Sequence, residues 1–255
     1  MNTAHGTTHS DRSKFEVAII CALETESTAV EASFDEVYDA SLYGHALGDT
    51  NAYTLGRIGE HHVVLVYLPS IGKASSASAA AGLRTSFSSI RLSLLVGICG
   101  GAPSRQEQGS EVEIFLGDII IGTGVVQYDL GRQYDGGRSV RRNTVHDNMS
   151  RLPPEIRSLL HKSQAGLGRR NMQEKALLYI NSIHCKDEFA TWAQPALDED
   201  ILYTAEFVHR HRLLDYCADC EAPGGMTCSG ARQATCEELR CAEGSKVLRA
   251  RHTHR

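Results

Sequence analysis

The stretch that decides the fold is Glu16-Val17-Ala18-Ile19-Ile20-Cys21-Ala22-Leu23, followed at once by Glu24-Thr25-Glu26-Ser27-Thr28-Ala29-Val30-Glu31-Ala32. The first part is a continuous apolar run of strand length. The second has helical composition with acidic residues in its first turn. A buried strand that leads directly into a helix is typical of α/β domains.

The same alternation continues along the chain. Residues 52–58 and 61–68 are apolar strands separated by Gly59-Glu60, and this two-residue spacing predicts an antiparallel hairpin. An Ala- and Ser-rich helix is predicted over 74–87, and a second buried strand over 92–99.

A further strand is predicted over 116–122, leading into 125–129, and a helix over 153–165 that starts on proline. The pattern therefore predicts a three-layer α/β fold, with a twisted, mainly parallel (mixed) sheet flanked by helices.

Composition restricts the class of protein. The chain has 255 residues, 42% of them hydrophobic, and 26 basic against 31 acidic residues give a net charge of -5. No basic excess is present to hold a polyanion, so nucleic acid is not expected as a partner. No apolar run of about 18 residues or signal-peptide pattern occurs, so we expect a cytoplasmic protein without a membrane partner.

Three regions are expected: a disordered arm over 1–14, a single domain over 15–216, and a Cys-rich tail over 217–255. The tail has no Phe, Trp, Tyr or Ile and one Val, yet it contains five of the eight cysteines. Such a segment supplies few residues for a central strand, which favours a disordered or weakly helical tail.

The tail cysteines raise the question of a metal site. Cys217-Ala218-Asp219-Cys220, with three later cysteines and His209 or His211 nearby, has the residue types of a zinc site. Only one Cys-x-x-Cys pair is present, so the sequence favours unligated thiols and predicts no metal. Cys21 and Cys99, inside apolar runs, are interpreted as small core residues.

Three glycine-containing turns follow predicted strands, at 70–73, 97–101 and 122–124. In open α/β sheets, ligands bind outside the carboxyl ends of the strands, where such turns allow a close approach of the backbone. None of the turns has the glycine spacing of a dinucleotide fingerprint or a P-loop, so those ligand classes are disfavoured.

Four motifs carry a resemblance to a known family. In order they are Val17 to Glu26, Ser70 to Ala74, Val96 to Gly101, and Leu116 to Ile120. Together they resemble the purine nucleoside and uridine phosphorylase superfamily, closest to the methylthioadenosine/adenosylhomocysteine nucleosidase pattern. Residues 53–59 and 124–131 further resemble the fungal version of this domain, which is often found at the front of NACHT or ankyrin-repeat proteins.

The resemblance implies cleavage of the N-glycosidic bond of a purine nucleoside, through a ribosyl group with oxocarbenium character. Glu26 matches the glutamate that acts on the attacking water, and homo-oligomers are common in the superfamily. The implied partner is a small-molecule nucleoside, whose binding residues are expected to be Ile71, Gly72, Ile98, Cys99, Gly100 and Gly101.

The attacking group is predicted from two positions. Phosphorylases of this superfamily hold phosphate with an arginine and a serine that align with Leu95 and Ile98. Neither of these side chains binds an anion, so hydrolysis by water is favoured. Arg57, Arg84 or Arg91 of a neighbouring subunit is the alternative source of charge. No cofactor is expected, apart from inorganic phosphate as co-substrate if the protein is a phosphorylase.

The resemblance weakens toward the end of the chain. After residue 200 there is no Glu-Met-Glu segment for ribose and no Ser-Asp or Cys-Asp strand end for the proton donor. We therefore expect a domain that lacks the C-terminal part of the family pattern. The alternative function is a catalytically inactive nucleoside-binding or interaction remnant.

Overall fold

The computed structural model describes residues 11–107, 110–125, 127, 129–142, 152–192, 196, 200–211, 217–221, 227–241, 245–247 and 249. The chain divides into two compact units. The first comprises Met1–Gly100 and Val126–Trp192, and the second comprises Gly101–Val125 and Ala193–Arg255.

The helices and strands of the first unit are β1 (Val17–Cys21), α1 (Glu24–Ala32), β2 (Glu36–Tyr38), β3 (Ala52–Ile58), β4 (His61–Tyr67), α2 (Lys73–Ser86), β5 (Leu92–Leu95), β8 (Gly131–Gln133), β9 (Ser139–Arg141), α3 (Pro154–Gln164) and α4 (Gly166–His184). Those of the second unit are β6 (Ser104–Glu107), β7 (Ser110–Glu113), β10 (Leu202–Tyr203), α5 (Ala218–Glu221), α6 (Ser229–Gln233) and β11 (Lys246–Val247).

A five-stranded mixed sheet, in the order β2-β3-β4-β1-β5, forms the centre of the first unit. β1 pairs in parallel with β4 on one side and with β5 on the other. β3 and β4 form the predicted antiparallel hairpin, with Ile58 opposite His61 and Gly59 at a φ of 59° in the turn. A positive φ is readily adopted by glycine, which explains the Gly59-Glu60 turn.

Alternate residues of the central strands face opposite layers of helix. Ala18 and Val64 pack with Leu83 of α2 in one cluster of buried side chains. Ile19 and Leu65 pack with Val30 of α1 in another. The period of two along each strand thus separates two cores, one on each face of the sheet. The predicted three-layer α/β fold is confirmed.

Two predicted strands differ from the structure. β5 ends at Leu95 instead of Cys99, and residues 116–122 contain a turn and irregular backbone where a strand was predicted. Apolar runs of this length are compatible with strands, but a strand also requires a neighbour with which to form a ladder. The apolar character of residues 116–122 was therefore not enough to predict a strand there. Residues 126 and 128, in the predicted continuation, lie outside the described residues.

Residues 11–14, the end of the predicted arm, have a defined structure. Arg12–Lys14 forms a single 3-10 turn capped by Asp11, and the Lys14 ammonium donates to the Tyr43 hydroxyl at 2.6 Å and lies over the Tyr38 ring. The end of the predicted arm thus packs on aromatic side chains. Residues 1–10 lie outside the described residues, and disorder there stays a prediction.

The second unit joins segments that are distant in sequence. β10 pairs with β11, and the Arg249 guanidinium donates to the Asp200 carboxylate at 2.6 Å and to the Ile114 carbonyl at 2.8 Å. The division into compact units groups the described residues of 217–255 with 101–125, and the domain boundary at residue 216 stays a prediction.

The described part of the Cys-rich segment contains two short helices around a small core, where the sequence favours a disordered or weakly helical tail. Cys220, Ala231 and Leu239 are buried there. Cysteine and alanine, which the prediction of a disordered tail did not count as core residues, fill most of this small core. Among the described residues, no helix is both long and apolar enough to cross a membrane.

Candidate functional site

Three adjacent parallel strands end at one edge of the sheet. Ile20 of β1 pairs with Val66 of β4 and with Leu95 of β5. The segments that follow these strands, at 22–26, 68–73 and 96–100, therefore leave the same edge. This is where α/β sheets bind ligands, and the sequence predicts a site here.

Glu26 is the central acidic residue of this edge. It lies in the first turn of α1 and retains 9% of its exposure. One carboxylate oxygen, Oε2, accepts hydrogen bonds from the backbone N–H groups of Ala22 and Leu23, each at 2.9 Å. The other, Oε1, accepts from the N–H of Ile98 at 2.9 Å. The side chain thus ties the start of α1 to the turn after β5.

These contacts determine the protonation state of Glu26. Burial alone raises the pKa of the carboxyl group, but hydrogen bonds from Ala22, Ile98 and Leu23 outweigh it and hold the pKa below its usual range. The group is therefore a carboxylate at neutral pH.

Gly97 explains how the carboxylate comes so close to the glycine turn. A Cβ atom added at Gly97 would lie 2.4 Å from Oε1 of Glu26, which is well inside van der Waals contact. Any other residue at this position would displace the carboxylate. The sequence predicts that the glycine turns allow a ligand to approach the backbone closely. At Gly97 the group that approaches is the Glu26 side chain of the protein itself.

A cavity of about 420 Å³ opens beside the start of α1. Glu26 does not line it, although the two residues whose N–H groups bind Oε2 do. The lining residues are Cys21, Ala22, Leu23, Glu24, Ser27, Thr28, Glu31, Tyr67 and Leu68.

Tyr67 and Glu31 are polar lining residues of the cavity and are linked to Thr54, which does not line it. The Tyr67 hydroxyl donates to Glu31 and lies 2.6 Å from the Thr54 hydroxyl. Burial and the Glu31 carboxylate raise the pKa of Tyr67 to about 12, so its hydroxyl stays protonated. Sequence reasoning missed Tyr67 and Glu31. The available signal was their position: Tyr67 is the last residue of β4, and Glu31 lies five residues after Glu26 on α1.

The predicted nucleoside-binding residues are only partly brought together. Ile71 and Ile98 each retain 73% of their exposure, and Cys99 is also exposed. Gly72, the residue before α2, has a φ of 131°, and a Cβ at Gly100 would meet nothing within 4 Å. These residues follow β4 and β5, but none lines the cavity.

Gly101 belongs to the second unit, where its backbone lies close to Ile114 and Ile120. Beside Gly72, the Lys73 ammonium forms an ion pair with Asp129 and lowers the pKa of that carboxyl group. Lys73 is thereby already paired with an anion. The binding roles of the predicted residues stay predictions.

Comparison with known proteins gives two matches. The sequence model of the phosphorylase superfamily matches residues 16–189. This span includes the three strand ends and Glu26, and it stops before the histidines and cysteines of 209–241.

A nucleotide-binding leucine-rich repeat (NLR)-like protein of the fungus Hyaloscypha variabilis is 32% identical over 196 residues. The match covers 74% of this chain and 18% of that relative, so the chain spans less than a fifth of its length. No solved structure matches the chain significantly.

Proposed function

This chain belongs to the phosphorylase superfamily, and on that premise we propose that it cleaves the N-glycosidic bond of a purine nucleoside with water as the attacking group. Family membership supports a nucleoside-phosphorylase-like function in general. The choice of water over phosphate as the attacking group goes further than family membership. It rests on the hydrogen bonds that Glu26 accepts from backbone N–H groups at the strand ends.

The observation that carries the choice of water is the occupation of three N–H groups by one carboxylate. Ala22, Leu23 and Ile98 all donate to Glu26. Backbone N–H groups at strand ends and helix starts are the usual ligands of phosphate. Here they already bind an anion, which would also repel a second one.

The side chains nearby favour the same conclusion. The side chains of Leu95 and Ile98, which the resemblance aligns with the family's phosphate-binding arginine and serine, carry neither a charge nor a hydrogen-bonding group. The cavity carries the carboxyl groups of Glu24 and Glu31. A neutral nucleoside and a water molecule fit this acidic surface better than a phosphate dianion.

In the proposed reaction, a water oxygen bonds to the anomeric carbon as the bond from that carbon to the base nitrogen breaks. The base nitrogen takes up a proton from solvent and the attacking water releases one to solvent, so that nucleoside and water give ribose and the free base. Glu26 does not line the cavity, so its carboxylate, held ionised next to the lining residues Ala22 and Leu23, is proposed to stabilise the positive charge of the ribosyl group electrostatically rather than by binding the water.

A second candidate is nucleoside binding without turnover. The sequence beyond residue 200 lacks the family's ribose and proton-donor patterns, which favours this alternative. Loss of a general acid reduces rates by about 10²- to 10⁴-fold.

The deciding experiment incubates the chain with adenosine, guanosine, inosine and methylthioadenosine, each with and without phosphate, and follows the free base by chromatography. Base release without phosphate supports hydrolysis. Release that requires phosphate contradicts it. No release, combined with nucleoside binding by calorimetry, supports the second candidate.

A further inference from the structure

Seven histidine and cysteine side chains gather into two groups in the second unit. His211, Cys217, Cys220 and Cys228 form one group, and their ligand atoms all lie within 4.8 Å of one another. The second group is His209, Cys236 and Cys241, with the same limit. In the sequence, His209 of the second group precedes the whole first group and Cys236 and Cys241 follow it, so the second group forms only when the chain folds back on itself.

The distances within the first group fit a tetrahedral metal site. The Nδ1 atom of His211 lies 3.7 Å from Sγ of Cys220 and 3.5 Å from Sγ of Cys228. Zinc at its usual bond lengths places nitrogen and sulfur ligands about 3.6 Å apart, and two sulfur ligands about 3.8 Å apart. Three cysteines and one histidine are a common donor set of structural zinc.

The second group has the same geometry and an additional contact. Nδ1 of His209 lies 3.7 Å from Sγ of Cys236 and 3.3 Å from Sγ of Cys241. Its Nε2 lies 3.0 Å from the Ala234 carbonyl oxygen. A carbonyl only accepts, so Nε2 carries the proton and Nδ1 directs its lone pair toward the sulfurs. Histidines that bind metals are commonly oriented by such a bond on the opposite nitrogen.

The surroundings show that this segment needs a source of stability other than an apolar core. Its buried cluster is Cys220, Ala231 and Leu239, with Cys217, Cys228, Ala234 and Cys241 packed around it. Most of this core is sulfur and methyl groups. Small segments with so little apolar area are usually held by disulfides or a metal. All eight cysteines are described, and none is in a disulfide.

Pairing of β10 with β11 brings together the two ends of the segment that contains both groups. Leu202 and Tyr203 pair with Val247 and Lys246, so the residues between β10 and β11 form one loop whose ends meet. Within the first group, the Ala231 N–H donates to Sγ of Cys228 at 3.3 Å. A hydrogen bond of this kind stabilises a thiolate, the form in which cysteine binds zinc.

We propose that His211, Cys217, Cys220 and Cys228 bind one structural zinc ion, and that His209, Cys236 and Cys241 supply three ligands to a second. Each ion takes up the lone pairs of thiolates and imidazoles, and the thiol protons pass to solvent. The module lies outside the residues matched by the superfamily model and is independent of the proposed reaction. The proposal differs from the sequence analysis, which favours unligated thiols and predicts no metal.

The first test measures metal in the whole chain purified with a reductant. Plasma mass spectrometry should find about two zinc ions per chain. Replacement by cobalt should produce the charge-transfer and visible bands of tetrahedral thiolate coordination. Absence of both zinc and cobalt binding would overturn the proposal, as would mass-spectrometric detection of disulfides among these cysteines in protein prepared under nitrogen.

Variants separate the two ions. Cys220→Ser with Cys228→Ser should remove one zinc, and Cys236→Ser with Cys241→Ser the other, whereas Cys185→Ser, an exposed cysteine on the first unit, should keep both. His211→Ala should lose one zinc, and His211→Cys should retain it. If the Cys236/Cys241 pair is changed and zinc content stays the same, the second site is wrong.

A measurement on the unaltered chain tests the proposal even if the variants fail to fold. Limited proteolysis should spare residues 209–241 in the zinc-loaded chain and cut within them after a chelator is added, with fragments identified by mass. Equal cleavage before and after chelation would contradict a structural role for zinc.

Discussion

The carboxylate of Glu26 accepts a hydrogen bond from the backbone N–H of Ile98 at 2.9 Å, a residue 72 positions later in the chain. This bond joins the start of α1 to the turn after β5, across the edge where ligands of α/β sheets bind. It makes Glu26 both an ionised group and a structural link, and the predictions below separate those roles.

Glu26→Gln should reduce the turnover number by about 10²- to 10⁴-fold, because the amide cannot stabilise developing positive charge as a carboxylate does. The Michaelis constant should change little. The amide NH2 must also face at least one N–H donor, so the free energy of unfolding should fall by about 1–3 kcal/mol. Kinetics and urea denaturation measure the two effects, with Glu60→Gln as control. A stability loss without any loss of turnover in the folded fraction would make Glu26 structural only.

Gly97→Ala should displace the Glu26 carboxylate, since the new methyl group would lie 2.4 Å from Oε1. We expect a stability loss of about 1–3 kcal/mol, the usual cost of overpacking. The matched control is Gly122→Ala, where a Cβ meets nothing within 4 Å. Chemical denaturation of both variants checks this. Equal small effects at the two glycines would show that the contact is easily relieved.

The contribution of Glu26 to stability should depend on pH. Its pKa in the folded chain is lowered, so the contribution is present above the pKa of an unfolded glutamate, about 4.3, and is lost as the pH falls through the lower folded pKa. The difference in melting temperature between the wild type and Glu26→Gln should therefore be constant near neutrality and shrink below about pH 4. A difference that stays the same at all pH values would contradict the lowered pKa.

Asp49→Ala should destabilise the first unit, because Asp49 accepts hydrogen bonds from the hydroxyls of Tyr53 and Ser86 and from the backbone of Asn51. Removing the carboxylate leaves the buried Ser86 hydroxyl and the half-buried Tyr53 hydroxyl without this acceptor, at a cost of about 1–3 kcal/mol. Calorimetric unfolding measures the loss, and Glu60→Ala is the exposed control. A change in unfolding free energy below about 0.5 kcal/mol would show that other groups replace the acceptor.

Short-range sequence patterns were sufficient to predict the central strands and the helix α2. The apolar runs at β1 and β4, the two-residue hairpin turn and the Ala-rich α2 all lie where periodicity predicts them, because burial on two faces demands continuous apolar strands. The motif order likewise identified the superfamily and drew attention to Glu26. Pattern failed at 116–122, where apolar composition alone did not provide a neighbouring strand.

The sequence by itself determined the three-layer α/β class and the superfamily, since these depend on residue types at short spacing, and it predicted a site at the strand-end motifs. Only the tertiary structure decided that Glu26 binds Ile98, that Tyr67 and Glu31 line the cavity, and that His209 and His211 meet different cysteines. Those contacts join residues far apart in the chain, and their distances depend on sheet register and loop closure, which short-range periodicity does not specify.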